Sequence, residues 1–76
     1  MTDVVTKEIQ PGDTVLDLGA NIGYFTLLFA KLVGNNGIVF AFEPEPQNIA
    51  LLTKNIKINN YKNVTLVPKA VSNTTN

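Results

Sequence analysis

Two kinds of apolar run alternate along the chain, and length tells them apart. Thr14 to Leu18 and Ile38 to Phe42 are short, nearly continuous and bounded by turn residues, the pattern of parallel strands covered on both faces. Ile22 to Val33 is apolar nearly all round but too long for a strand, and Gly34 stands where a left-handed residue closes a helix. It predicts a first helix packed on the sheet. From Pro46 to about Ile58 the apolar residues Ile49, Leu52 and Ile56 recur with helical spacing. Pro46 suits the first helical position, Lys54 and Lys57 lie toward the negative end, and Asn59-Asn60 supplies the stop. Val64 to Val71 reads as a third strand, which Pro68 confines to an edge or a strand end. Before all of these, residues 3–10 suggest a helical turn or two, and Pro11-Gly12 suits a type II turn.

Strand, helix, strand, helix, strand is the pattern of an α/β fold, and right-handed crossovers place strand two beside one and three beside two. The expected architecture is a partial Rossmann-like, doubly wound parallel sheet of order 3-2-1 with flanking helices. It occupies one domain, residues 1–76.

Composition narrows the partners. Six basic residues balance six acidic ones, so no strong field invites nucleic acid or an anionic membrane. There is no cysteine and no histidine, hence no disulfide scaffold and no His/Cys metal site. The longest apolar stretch is broken by Thr26 and Lys31 and falls short of the roughly 20 residues of a membrane span. No signal peptide is evident in MTDVVTKEIQ, so the expected location is cytoplasmic, and the sequons at Asn63 and Asn73 are expected to be unused.

The candidate chemistry lies in VLDLGANIGYF, Val15 to Phe25. In a doubly wound sheet ligands bind beyond the carboxyl ends of the strands, where Asp17, Gly19 and Gly23 fall. Glycine at 19 lets the backbone approach a ligand, and Gly23 lets the helix start sit close. The dinucleotide pattern Gly-x-Gly-x-x-Gly fails, because positions 21 and 24 hold Asn21 and Tyr24. A carboxylate at 17 would repel a pyrophosphate and attract an ammonium group. Glu43 ends strand two, where such folds place an acid that accepts hydrogen bonds from ribose hydroxyls. A nucleoside with an amino-acid tail satisfies both acids, and S-adenosylmethionine is such a molecule. Asn21 is read either as the cap of the first helix or as a ligand contact, and Tyr24, Phe25 and Phe29 are read as core.

The stretch Asp17-Leu-Gly-Ala-Asn-Ile-Gly-Tyr24 followed by Phe42-Glu43-Pro44 resembles the class I S-adenosylmethionine-dependent methyltransferases. The wording DLGANIGYFT with FAFEPEP is most similar to the FkbM-type family, over roughly Pro11 to Ser72. The resemblance implies the first half of a class I methyltransferase fold. It puts Asp17 near the methionine moiety, with Gly19, Ala20, Asn21 and Gly23 forming the loop beneath it and Tyr24 closing the site. It further implies that Glu43 binds the ribose, with Pro44 near the adenosine and Ala70-Val71 toward adenine. The activity it implies is O-methylation of a hydroxyl on a small molecule or sugar.

None of these residues offers a base for a hydroxyl acceptor, so no catalytic residue is assigned, and the family's acceptor-binding segments are expected after strand three. The free edge of strand one predicts a truncated product, self-association, or pairing with a missing half. A non-catalytic nucleotide-binding module is the alternative, and half of a nicotinamide-dependent oxidoreductase is a third reading.

Overall fold

The computed structural model describes residues 9–70. Three strands, β1 (Thr14–Leu18), β2 (Ile38–Phe42) and β3 (Val64–Val67), form one parallel sheet in the order β1-β2-β3. Helix α1 (Tyr24–Val33) joins β1 to β2, and α2 (Pro46–Ile58) joins β2 to β3. The expected α/β order and strand neighbours are therefore present. Gln10 to Asp13 forms the predicted turn, closed by the Asp13 N–H on the Gln10 carbonyl at 3.1 Å, with Gly12 at φ 91°. The helical turn expected from residue 3 onward falls largely outside the described residues, as does Asn73.

Register fixes which residues share a face. Val15 and Asp17 pair with Val39 and Ala41, and these four are buried. Val15 and Val39 pack with Phe29, Ala30 and Val33 of α1, while Ala41 packs with Leu52 of α2 and with Ala20. Both helices thus cover the same face, as two right-handed crossovers taken in one direction across a sheet require. On the opposite face Leu16 and Leu18 are 59% and 58% exposed, alongside their half-buried register partners Phe40 and Phe42. This corrects the expectation of strands covered on both faces. Among the described residues β1 pairs only with β2, so its outer edge is free.

Two boundaries and the conformation of one helix cap differ from the sequence reading. The first helix starts at Tyr24 rather than Ile22, because the residues before it are drawn into the loop described below. It is buried along one side only, through Thr26, Phe29, Ala30 and Val33, while Tyr24, Phe25 and Leu28 face outward. Gly34 closes it with a positive φ of 70°, but at ψ −170° rather than in the left-handed helical region. The third strand stops at Val67. Pro68 has no N–H to continue the ladder, and the Lys69 N–H turns back to the Val67 carbonyl at 2.8 Å.

Asparagines close the far end of the fold. Asn60 takes the left-handed conformation after α2 (φ 60°), and the N–H groups of Asn60 and Tyr61 return to the carbonyls of Lys57 and Ile56, a Schellman ending. The Asn63 amide donates to the carbonyls of Ala30 and Gly34 at 2.9 and 2.8 Å, tying the start of β3 to the end of α1.

Leu52 is fully buried, whereas its neighbour Leu51 is 48% exposed. In urea unfolding of the intact protein, Leu52→Ala is expected to cost about 2–5 kcal/mol through lost transfer energy and a cavity. Leu51→Ala should stay within about 0.5 kcal/mol.

Candidate functional site

At the carboxyl ends of β1 and β2 the chain leaves the sheet twice, once into the loop 19–23 and once into Glu43-Pro44-Glu45. The first exit is anchored on the second. The N–H groups of Gly19 and Ala20 both donate to the Phe42 carbonyl, at 3.0 and 2.9 Å, so the loop is strapped across the end of β2. Gly19 sits at φ 81° with open space where a side chain would project, leaving bare backbone facing outward. Ala20 turns inward against Ala41 and Leu52.

Asn21 adopts a left-handed conformation, φ 55°, which aims its backbone N–H at Glu43 Oε1, 2.7 Å away. It is therefore not the cap of α1. Gly23 holds that place, at φ 103°, and no side chain caps the helix. The first N–H groups of α1 have no side-chain partner and lie at the positive end of the helix. A Cβ on Gly23 would come within 2.6 Å of Leu52 Cδ1, so the glycine sets how closely the two helix-bearing segments approach. From α2, the Asn55 amide donates to the Ile22 carbonyl at 2.7 Å and holds the last free turn of the loop.

The two acids differ in environment. Glu43 is only 4% exposed, yet its carboxylate accepts three hydrogen bonds: Asn21 N–H on Oε1, and on Oε2 the Glu45 N–H at 3.1 Å and the Asn48 amide at 3.3 Å. Burial pushes its pKa up, but these donors outweigh burial and hold it below its ordinary value of 4.5. It is a preorganised anion. Asp17, 8% exposed, lies on the helix-covered face and accepts the Thr26 hydroxyl on Oδ2 at 2.5 Å. Burial raises its pKa above 3.8, the Thr26 bond only partly opposes this, and the nearby Glu43 charge raises it further.

The structure thus brings Asp17, Gly19, Ala20, Asn21, Gly23 and Glu43 into one continuous arrangement. Pro44 and Glu45 are exposed beside it in the link to α2. Tyr24 is 76% exposed at the start of α1, edge-on to Phe25 with ring centroids 5.0 Å apart, so of the three aromatics read as core only Phe29 is buried. Ala70 is exposed beyond β3, and Val71 lies outside the described residues. Sequence reading missed Thr26, Asn48 and Asn55. A buried threonine in an apolar helix was the one signal available for the first of them.

A family model described as the TRM5/TYW2 methyltransferase domain matches residues 2–74. The chain is 52% identical over 48 residues to the 31-O-demethyl-FK506 methyltransferase FkbM of Streptomyces tacrolimicus, a match covering 63% of this chain and 18% of that protein. It is 37% identical over 60 residues to the protein-L-isoaspartate O-methyltransferase of Methanococcoides burtonii, covering 79% of this chain and 30% of that protein. A solved structure from Clostridium thermocellum, described as an rRNA-methylase, superposes with a TM-score of 0.85 at 36% identity over 91% of this chain and 38% of its own. S-adenosylmethionine-dependent methyltransferases are among the other solved structures of this fold. The chain spans less than a third of either curated relative.

Two outcomes follow from this geometry. Gly23→Ala should cost about 2–4 kcal/mol in urea unfolding, combining backbone strain with the Leu52 overlap. Asp17→Asn should raise Tm at pH 7, because the folded state pays to bury the ionised Asp17. That advantage should shrink as pH falls through the raised pKa of Asp17 toward 3.8, where the native residue is itself neutral. Melting curves of the two proteins across pH check this convergence. Glu43 acts in the opposite sense, its stabilisation being lost only as pH falls from 4.5 through its lowered pKa.

Proposed function

The chain belongs to the TRM5/TYW2 methyltransferase domain family, and from that premise we propose that residues 1–76 form the cofactor-binding half-domain of an S-adenosylmethionine-dependent methyltransferase. The observation that carries the reading is Glu43: a buried, preorganised carboxylate at the end of β2, beside a bare-backbone loop. A carboxylate has about four lone-pair sites, and three donors leave Glu43 capacity for a hydroxyl. The residues present therefore fit a nucleoside.

In this reading Glu43 accepts a ribose hydroxyl on Oε1 and Gly19 gives the ligand backbone contact. The uncapped start of α1 faces the carboxylate of the amino-acid tail. Asp17 supplies negative potential toward the ammonium from beneath the loop, rather than a fully exposed contact. Tyr24 and Pro44 border the site, and Ala70 lies toward the adenine end. When bound, the cofactor supplies an electrophilic methyl group that passes in line to a nucleophile while sulfur keeps the bonding pair. The chain's own residues orient the donor for that displacement.

We read the acceptor atom as oxygen. Support comes from the two curated relatives, whose names specify methylation at oxygen, and the FkbM likeness favours a small-molecule hydroxyl. The zero net charge of the chain agrees with an acceptor other than nucleic acid, while the likeness to an rRNA-methylase makes RNA the competing acceptor. No group of three potential metal ligands occurs among the described residues, and none of them is assigned the acceptor's proton. Nor is any of their helices long and apolar enough to cross a membrane.

Calorimetric titration of the intact protein with S-adenosylhomocysteine, using NAD as the control ligand, tests the reading. Saturable binding of the former alone is expected. Glu43→Ala should weaken it by about 10- to 100-fold, the worth of hydrogen bonds to a charged group. Binding of NAD in preference, or indifference to the loss of Glu43, would sink it.

A further inference from the structure

We propose that Asn48 is a positioning residue of the cofactor site, holding the Glu43 carboxylate in the orientation in which it accepts a ribose hydroxyl. The proposal rests on the reading of Glu43 given above. Of the three donors to that carboxylate, two are backbone N–H groups, from Asn21 and Glu45. Asn48 is the one side-chain donor recorded among the described residues. It stands at the third position of α2, where side chains lean back toward the helix start. Glu45, at the cap position itself, makes no side-chain cap bond. The start of α2 is closed instead by Glu43, two residues earlier, through the Glu45 N–H and Asn48.

A hydroxyl meets the remaining lone pair best when the carboxylate plane is fixed, and the terminal torsion of a glutamate is intrinsically broad. Asn21 pins Oε1 from the loop, and Asn48 with Glu45 pins Oε2 from the helix, so the plane is set from both sides before any ligand arrives. Among the described residues Oε1 accepts only the Asn21 N–H, so the open lone pair lies there, and Asn48 keeps its place on Oε2 when a hydroxyl is accepted. The other titratable group among the described residues whose charge acts on Glu43 is Asp17 of β1, which opposes it, while Glu45 meets Glu43 through its backbone N–H.

Asn48→Asp is nearly isosteric and replaces the donor with a second carboxylate. Binding of S-adenosylhomocysteine to the intact protein is expected to weaken by about 10- to 100-fold at pH 7. It should recover toward about pH 5, where one proton shared by the two carboxylates restores a donor. Each variant is read as its ratio to the native protein at the same pH, so that the titration of Asp17, common to all of them, cancels. Asn48→Ala, with no proton to share, should be weakened at every pH. Thermal melts establish that each variant is folded.

Native-like binding by Asn48→Asp, or a loss that is the same at every pH and tracks a lowered Tm, would overturn the positioning role and leave the reading of Glu43 standing. Failure of the native protein itself to bind S-adenosylhomocysteine would overturn that underlying reading instead.

Discussion

The Glu43 carboxylate is the joint on which the functional end of this fold depends. One of its oxygens holds the β1–α1 loop through the Asn21 N–H, and the other holds the start of α2 through Glu45 and Asn48. A charged acceptor with neutral donors on both oxygens tolerates burial that a bare carboxylate could not. With the two hydrogen bonds from the Gly19 and Ala20 N–H groups to the Phe42 carbonyl, it makes the end of β2 the platform on which the glycine-containing loop is built. The loop is consequently shaped by the protein and needs no ligand to shape it.

Packing enforces the same geometry from below. Gly23 has no Cβ because Leu52 occupies the space one would take, and Ala20 is small because Ala41 and Leu52 close over it. Asp17 sits beneath this layer with Thr26 as its partner and Glu43 as a like charge nearby, an arrangement that burial makes costly to keep ionised. A fold built only for stability would place a neutral residue there.

The helices leave the other face of the sheet bare. Leu16 and Leu18 stand open beside Phe40 and Phe42, and the outer edge of β1 carries unpaired backbone groups among the described residues. Apolar area and an unpaired edge in one place are what a larger α/β sheet covers with further strands and helices. The chain's span of less than a third of its curated relatives agrees with that need.

Much of this architecture was legible along the chain because it rests on local patterns. The lengths of the apolar runs, Pro46 at a helix start, Asn59-Asn60 at a helix end and Pro68 at a strand end each act over a few residues. β1, β2 and α2 accordingly lie where those signals put them. Asp17, Gly19 and Glu43 could be singled out because the carboxyl ends of parallel strands follow from strand order alone. Only the tertiary structure could decide which neighbours those residues meet. The Asn21 N–H turned to Glu43 instead of capping α1 and the Asn55 amide on the Ile22 carbonyl join residues 22 and 33 apart, while the shorter links Thr26–Asp17 and Asn48–Glu43 depend on how α1 and α2 fold back over the strand ends. The run Ile22 to Val33 looked buried all round because apolar residues mark what can be covered, and only the placement of both helices on one face determined which of them are.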